Sequence, residues 1–447
     1  MDRRMFLAST AAVLTPASAL TQTKPASLRE AAMRMALYGL PLIEMATTRE
    51  RAMGAGQTVN VFRHARALLT PKTQTVTQPN NDTLYSSAWL DLSRGPVRIT
   101  LPKTGERYFS LALMDMFTNN FSVVGTRTVG GAGGEVLLVG PAESLPAKGA
   151  IRSPTNWVWA LGRTLVDGPA DLGDAHSVQD ALGLDGAKGG AARRYAKRND
   201  PWPAWFDGLQ GLVLENPPPA TDLRVFRDAA ALGITPAGDF DAARFTRGQG
   251  VEIAAGLADA LAIAKMGGAS GQKRGAWSFP RQNLGDFRQD YLYRAQVAVT
   301  GLAALPLDEA CYLRALGPDG SDNLDSRKNW RLRFPAGQAP PVDAFWSLTA
   351  YEATPDGQGF LFENPISRYA IGDRTPGLTH NADGSLDIWI SPADPGPQRR
   401  ANWLPSPTSG KPLTLSLRAY LPRPELMTGA WQPPPVTLVG ARSGLAG

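Results

Sequence analysis

The sequence predicts an α+β multidomain fold, in which a β domain, a helical middle region and a second β domain follow one another. Three observations predict it. The chain has 447 residues, too many for one ordinary hydrophobic core, so it divides into several domains. Apolar residues alternate with period two from about Thr58 to Val166 and again beyond Leu305, the spacing of strands, whereas Pro169 to about Leu305 keeps helical spacing. The composition is 43% hydrophobic and 19% charged, and Gly 46 and Pro 37 are held in no repeat. That suits a globular protein with many turns between short strands and excludes wholesale disorder.

Residues 1–19 read as an export signal. Arg3-Arg4-Met5-Phe6-Leu7 resembles a twin-arginine signal core, an apolar run reaches Leu14, and Ala17-Ser18-Ala19 supplies an A-x-A cleavage site. Asp2 and Ala8 depart from the usual twin-arginine pattern, which leaves the general secretory route open. The apolar run is far shorter than the roughly 20 residues of a membrane span, and no later segment supplies one. The expectation is a periplasmic or secreted protein.

Residues 27–57 form the N-terminal helix. Ser27-x-x-Glu30 has capping-box spacing, and Leu28, Ala31, Met35 and Leu42 follow at helical intervals, with Pro41 expected to bend or break the helix. In residues 58–168 the expected strands are 83–92, 97–101, 108–116, 121–124, 135–139 and 157–166, the pattern of a β-sandwich or barrel. Residues 169–305 are the helical region, with helices over 173–183, 190–198, 203–214, 221–231, 248–266 and 287–305 and a long Gly-rich loop over 267–285. Residues 306–447 return to strands at 345–351, 386–390 and 413–421. In the last, Leu413, Leu415, Leu417, Ala419 and Leu421 face one way and Thr414, Ser416, Arg418 and Tyr420 the other, as in a half-buried strand.

Net charge is +6, and losing Asp2, Arg3 and Arg4 with the signal leaves +5. Over so long a chain this is no nucleic-acid footprint, and Arg193-Arg194 with Lys197-Arg198 reads as a solvated helix face. The single cysteine, Cys311, allows no intramolecular disulfide and reads as a small buried apolar residue rather than a nucleophile. There is no HExxH, CxxC pair, P-loop or helix-opening GxGxxG, and no GxSxG elbow. No cofactor is expected. The histidines, His64, His176 and His380, lie in separate segments; only if His64 reached the Asn80–Asp82 turn would a mixed N/O metal site form.

Pro79–Leu92 carries the densest functional pattern. Pro79-Asn80-Asn81-Asp82 is turn chemistry that leads into a strand with two usable faces. Leu84, Ser86, Ala88, Leu90 and Leu92 suit a core, while Thr83, Tyr85, Ser87, Trp89 and Asp91 suit a binding surface. Two readings of the turn stand together. Asn80, Asn81 and Asp82 either satisfy their own backbone or floor a ligand pocket beside Tyr85 and Trp89. Asp115 interrupts an apolar strand, so it must be paired or shift its pKa. Arg107 is a candidate partner, and a structural salt bridge and a catalytic acid are both open. Trp157, Trp159 and Arg163 share a face of 157–166, as do Trp389 with Asp387 and Tyr420 with Arg418 on theirs. Such faces suit sugar stacking or an aromatic acid, and equally a packed interdomain seam.

The block Pro79–Leu92, with Arg107-Tyr108 and Asp115-Met116-Phe117-Thr118-Asn119, resembles the exported family named after domain of unknown function 1254. Ala344–Tyr351, Asn364-Pro365 with Arg368-Tyr369, Asp383-Gly384-Ser385 and Asn402-Trp403-Leu404-Pro405 resemble its usual partner, domain of unknown function 1214. The resemblance covers nearly the whole mature chain. It implies an immunoglobulin-like β-sandwich, a helical middle region and a C-terminal jelly-roll β-sandwich, and it implies no activity. The functional expectation is an exported protein that binds or processes a small molecule or glycan. Asp82 and Asp115 are its candidate acid–base groups, and Asn80, Asn81, Tyr85, Trp89, Arg107 and His64 its candidate ligand contacts. The alternative is a structural or assembly protein of the envelope, homo-oligomeric or partnered through its aromatic patches.

Overall fold

The computed structural model describes residues 26–74, 76–145, 149–189, 193–267, 271–355 and 357–440. The export signal expected over residues 1–19 lies outside the described residues. The fold is α+β, with several β-sheets and a helical stretch.

The helix Leu28–Gly54 starts where expected, with the Ser27 hydroxyl accepting from the Glu30 N–H at 3.2 Å. It runs unbroken through Pro41, against the expected bend or break. Tyr38, Leu40, Leu42 and Ile43 are fully buried around that proline. They pack in one core with Leu209, Leu212, Ile253 and Ala295 of helices Trp202–Glu215, Arg247–Gly267 and Tyr291–Thr300. Burial on all sides outweighs one lost backbone bond. The N-terminal helix is therefore the centre of the helical layer.

The first β unit holds two sheets. One orders strands Arg63–His64, Thr83–Asp91, Trp157–Leu165, Phe109–Asp115 and Asn120–Gly125. The other orders Ile151–Arg152, Gly134–Val139, Val97–Leu101 and Gly183–Asp185. Ala88, Leu90, Ile99, Leu111, Leu138 and Val158 join the two in one core. The inward face foreseen for Thr83–Asp91 is thus the inward face. The helix Leu172–Asp180 and the strand that follows it also belong here: Val178 and Leu182 enter this core.

The C-terminal unit pairs a seven-stranded with a four-stranded sheet. The larger runs Gln272–Arg274, Trp277–Phe279, Ala310–Ala315, Leu413–Pro422, Val342–Ala353 and Gly359–Phe360, with Ala370–Gly372 also on Val342–Ala353. The smaller runs Trp403–Pro405, Leu386–Ser391, Trp330–Phe334 and Val436–Leu438. Leu313, Leu332, Leu348, Ile388 and Leu417 share one core between them.

Three local expectations are corrected. The 267–285 stretch is not one long loop, because Gln272–Arg274 and Trp277–Phe279 form a hairpin on the edge of the large sheet, with the Trp277 side chain fully buried. Residues 193–198 are not helical; Arg198 reaches the helix Leu28–Gly54 instead and grips Glu44 with two bonds of 2.7 Å. Leu413–Pro422 is not half-buried: every residue in it is buried, because the first β unit covers its polar face.

Candidate functional site

The outer face of the first sheet meets the outer face of the large C-terminal sheet, and the polar turn lies in that seam. On the first sheet Tyr85 pairs across strands with Arg163, and Arg163 with Ser110. On the other, Arg418 pairs with both Tyr312 and Ser347. Tyr420 stacks on Phe345, with centroids 4.2 Å apart, and both meet Tyr108 edge-on.

The turn is engaged atom by atom. Asn80 Oδ1 accepts from the Asp82 N–H at 2.6 Å, and Asn80 Nδ2 donates to the Tyr420 hydroxyl at 2.8 Å and to Thr83 Oγ1 at 3.1 Å. Asn81 Nδ2 donates to the Leu69 carbonyl at 2.6 Å. Ser347 Oγ donates to Asp82 Oδ2 at 2.7 Å, and the Tyr351 hydroxyl donates to the Pro79 carbonyl at 2.9 Å. Arg418 spans the seam, giving one N–H to Thr349 Oγ1 at 2.7 Å and another to the Gln78 carbonyl at 2.9 Å. Gln78 holds a left-handed φ of 47°, which that clamp helps to keep. Burial raises the Asp82 pKa, with Arg418 and Ser347 opposing the shift.

One end of the seam is a second buried cluster. Tyr108 donates to Glu309 Oε1 at 2.9 Å, and Arg127 Nε donates to Glu309 Oε2 at 2.8 Å. Arg163 is 5% exposed; one Nη donates to the Ala303 carbonyl at 2.8 Å, while Nη1 has no partner among the described residues. Asp82, Tyr85 and Tyr312, although in the seam, keep part of their surface accessible.

The other expected site residues lie elsewhere. Trp89 is fully buried in the helical core, stacked on Trp159 at 5.4 Å. His64 Nδ1 meets Ser86 Oγ at 2.8 Å and lines a small cavity of about 180 Å³ with Asn60, Phe62, Leu184 and Lys188, away from the turn. Asp115 sits at the end of its strand, where Oδ1 accepts from the Asn119 N–H at 2.9 Å and Oδ2 from Asn119 Nδ2 at 3.2 Å. Arg107 is not its partner: it binds Asp171 with two N–H groups and the Leu165 carbonyl with one. Arg107 lies just before the strand Phe109–Asp115 and Asp115 closes it, so an extended run of about 25 Å keeps the two apart. Burial pushes the Asp115 pKa up to about 6 against the Asn119 bonds, and Arg107 holds Asp171 below the usual range. Cys311 is fully buried, and burial pushes its thiol up to about 12.

Among the described residues no group of three or more His, Cys, Asp or Glu side chains could hold a metal ion, and no helix is long and apolar enough to cross a membrane. Sequence reasoning missed Tyr312, Ser347 and Tyr351; Arg163, Arg418 and Tyr420 it placed on faces suited to sugar stacking, an aromatic acid or an interdomain seam, without joining them to the turn. The alternation of 413–421 had placed Arg418 and Tyr420 on one face, but no pattern announces which surface covers that face.

A family model described as DUF1254, protein of unknown function, matches residues 59–186, and one described as DUF1214, protein of unknown function, matches residues 309–424. The structure of the VPA0106 protein from Vibrio parahaemolyticus is similar at 22% identity over 92% of this chain and 100% of that one, with a TM-score of 0.70. That likeness shows a shared fold. An uncharacterized protein from Burkholderia cenocepacia matches at 16% identity over 92% of this chain and 93% of that one, with a TM-score of 0.44. No curated protein matches the chain.

Proposed function

The chain belongs to the family in which a DUF1254 domain is followed by a DUF1214 domain, and from that premise we propose that it is a periplasmic protein that binds a small molecule at the seam between its β units. The observation that carries this reading is that Asp82, Tyr85 and Tyr312 keep accessible surface inside an otherwise buried polar–aromatic seam. Small-molecule sites favour such domain boundaries, where a few polar groups converge on apolar walls. In this reading Asp82 is the acid–base candidate, since its pKa is raised and it bonds Ser347 across the seam. Asp115 is a turn clamp. The shared core of each pair of sheets supports an immunoglobulin-like sandwich for the first unit and a jelly roll for the second.

A second reading, an envelope structural protein, is favoured by a different observation: Asn80 and Asn81 have their side-chain amides engaged by other groups of the chain. A thermal-stability screen against periplasmic metabolites and glycans separates the two, because a ligand bound only by the native state raises the melting temperature. Binding predicts hits that Asp82→Asn and Tyr85→Phe weaken. Hits that both variants keep unchanged would move the site off the seam, and a panel with no hits favours the structural reading. Export is tested by changing Arg3 and Arg4 together to Lys, which should hold the protein in the cytoplasm if the twin-arginine route is used.

A further inference from the structure

Arg163 is a buried cation with no acid partner among the described residues. Buried charges are normally paired, because an uncompensated ion in the interior costs several kcal/mol. The other deeply buried arginines obey this. Arg49 has Glu215 at 3.0 Å, and Arg294 has Asp222 at 3.8 Å. Arg418 has the Asp82 carboxylate in electrostatic reach. Around Arg163 stand four phenols instead, those of Tyr85, Tyr312, Tyr420 and Tyr108, and no described carboxylate forms an ion pair with it. Tyr85 lies under the guanidinium at 5.4 Å from its ring centroid. Ring faces attract a cation weakly and do not neutralise it. Arg163 also keeps Nη1 unpartnered at 5% exposure.

We propose that the seam takes a small, flat monocarboxylate whose carboxylate pairs with Arg163 and whose body lies among the tyrosine rings. This rests on the reading of the seam as a ligand site and names its ligand class. One uncompensated positive charge calls for one negative charge, which disfavours a dianionic phosphate. The guanidinium fork matches the two oxygens of a carboxylate. The walls are aromatic: Tyr85 and Tyr312 keep accessible surface, and behind them Tyr108, Tyr420 and Phe345 are buried and packed on one another. The Tyr85 and Tyr312 hydroxyls are donors, suited to an anion.

Sodium benzoate is the probe, with benzamide as its neutral isostere and inorganic phosphate as the dianionic control, each titrated into the full-length protein and read by melting temperature and calorimetry. The expected result is a benzoate-dependent rise that benzamide and phosphate do not give. Arg163→Met should weaken benzoate by about 10- to 100-fold, while the ligand-free melting temperature stays level or rises, as when a buried unpaired charge is replaced by an apolar group. Should that variant fail to fold, Arg163→Lys keeps the charge but loses the fork, and its benzoate affinity should fall; unchanged affinity overturns the proposal. Benzamide matching benzoate, or Arg163→Met keeping the benzoate response, also overturns it, yet leaves a neutral-ligand seam standing. Silence from benzoate and from every compound of the wider metabolite and glycan panel overturns both.

Discussion

Asp115 is the clearest case of one side chain with two faces to its chemistry. Its carboxylate holds the Asn119 backbone, and its carbonyl accepts from the N–H of Thr118, a β-branched residue in the left-handed region at φ 69°. The same burial that makes the clamp effective raises its pKa from 3.8 to about 6. The folded state therefore holds a proton that the unfolded chain has released, so the stability this supplies is full below about pH 4 and is lost as pH rises through about 6. The shift corresponds to about 3 kcal/mol. Urea unfolding of Asp115→Asn across that window should show a profile flatter than the parent's by about one proton; an unchanged slope would show that Asp115 is not the titrating group. Asp171 has the opposite sign. Arg107 depresses its pKa, so its contribution is present at neutral pH and lost as pH falls. Arg107→Met should accordingly cost more near pH 7 than in acid, where the bond to the Leu165 carbonyl is the part still lost.

The turn Asn80–Asp82 and the strand Leu413–Pro422 depend on one another. Asn80→Ala removes a bond to Tyr420, one to Thr83 and the acceptor of the Asp82 N–H, and should cost about 2–3 kcal/mol in chemical unfolding. Tyr420→Phe combined with it should be less than additive by about 1 kcal/mol; full additivity would mean that the two do not share a bond in solution. These elements also show what was legible in the sequence. Period two places Ala88 and Leu90 in the core and Tyr85 on the opposite face, and the structure keeps that division, with Leu84 buried in a smaller cluster beside Val166 and Ala175. The alternation of 413–421 likewise separated leucines from Arg418 and Tyr420. What alternation could not give is the cover over the polar face, since that comes from a strand more than 300 residues away in sequence. For the same reason nearness in sequence suggests Asp115 for Arg107, whereas the fold supplies Asp171. Alternation puts Trp89 on the same face as Tyr85, but that face runs on under the helices.

At the scale of the molecule, hydrogen bonds from Asn80, Ser347, Tyr351 and Arg418 join the two β units. The helix Leu28–Gly54 binds the helical layer against Trp89 and Trp157 of the first sheet. Units joined this tightly should unfold together. Calorimetry of the parent should show one transition, and Arg418→Leu, which cuts bonds to Thr349 and Gln78, should broaden or split it. The seam is thus both the joint and the place where a buried cation, Arg163, has no acid partner among the described residues. Anomalous diffraction from crystals soaked in 4-bromobenzoate tests that most directly. The account predicts a bromine peak among Tyr85, Tyr312 and Tyr420, with carboxylate density bonded to Arg163 Nη1. Water alone at Arg163, with bromine bound elsewhere or nowhere, would contradict it.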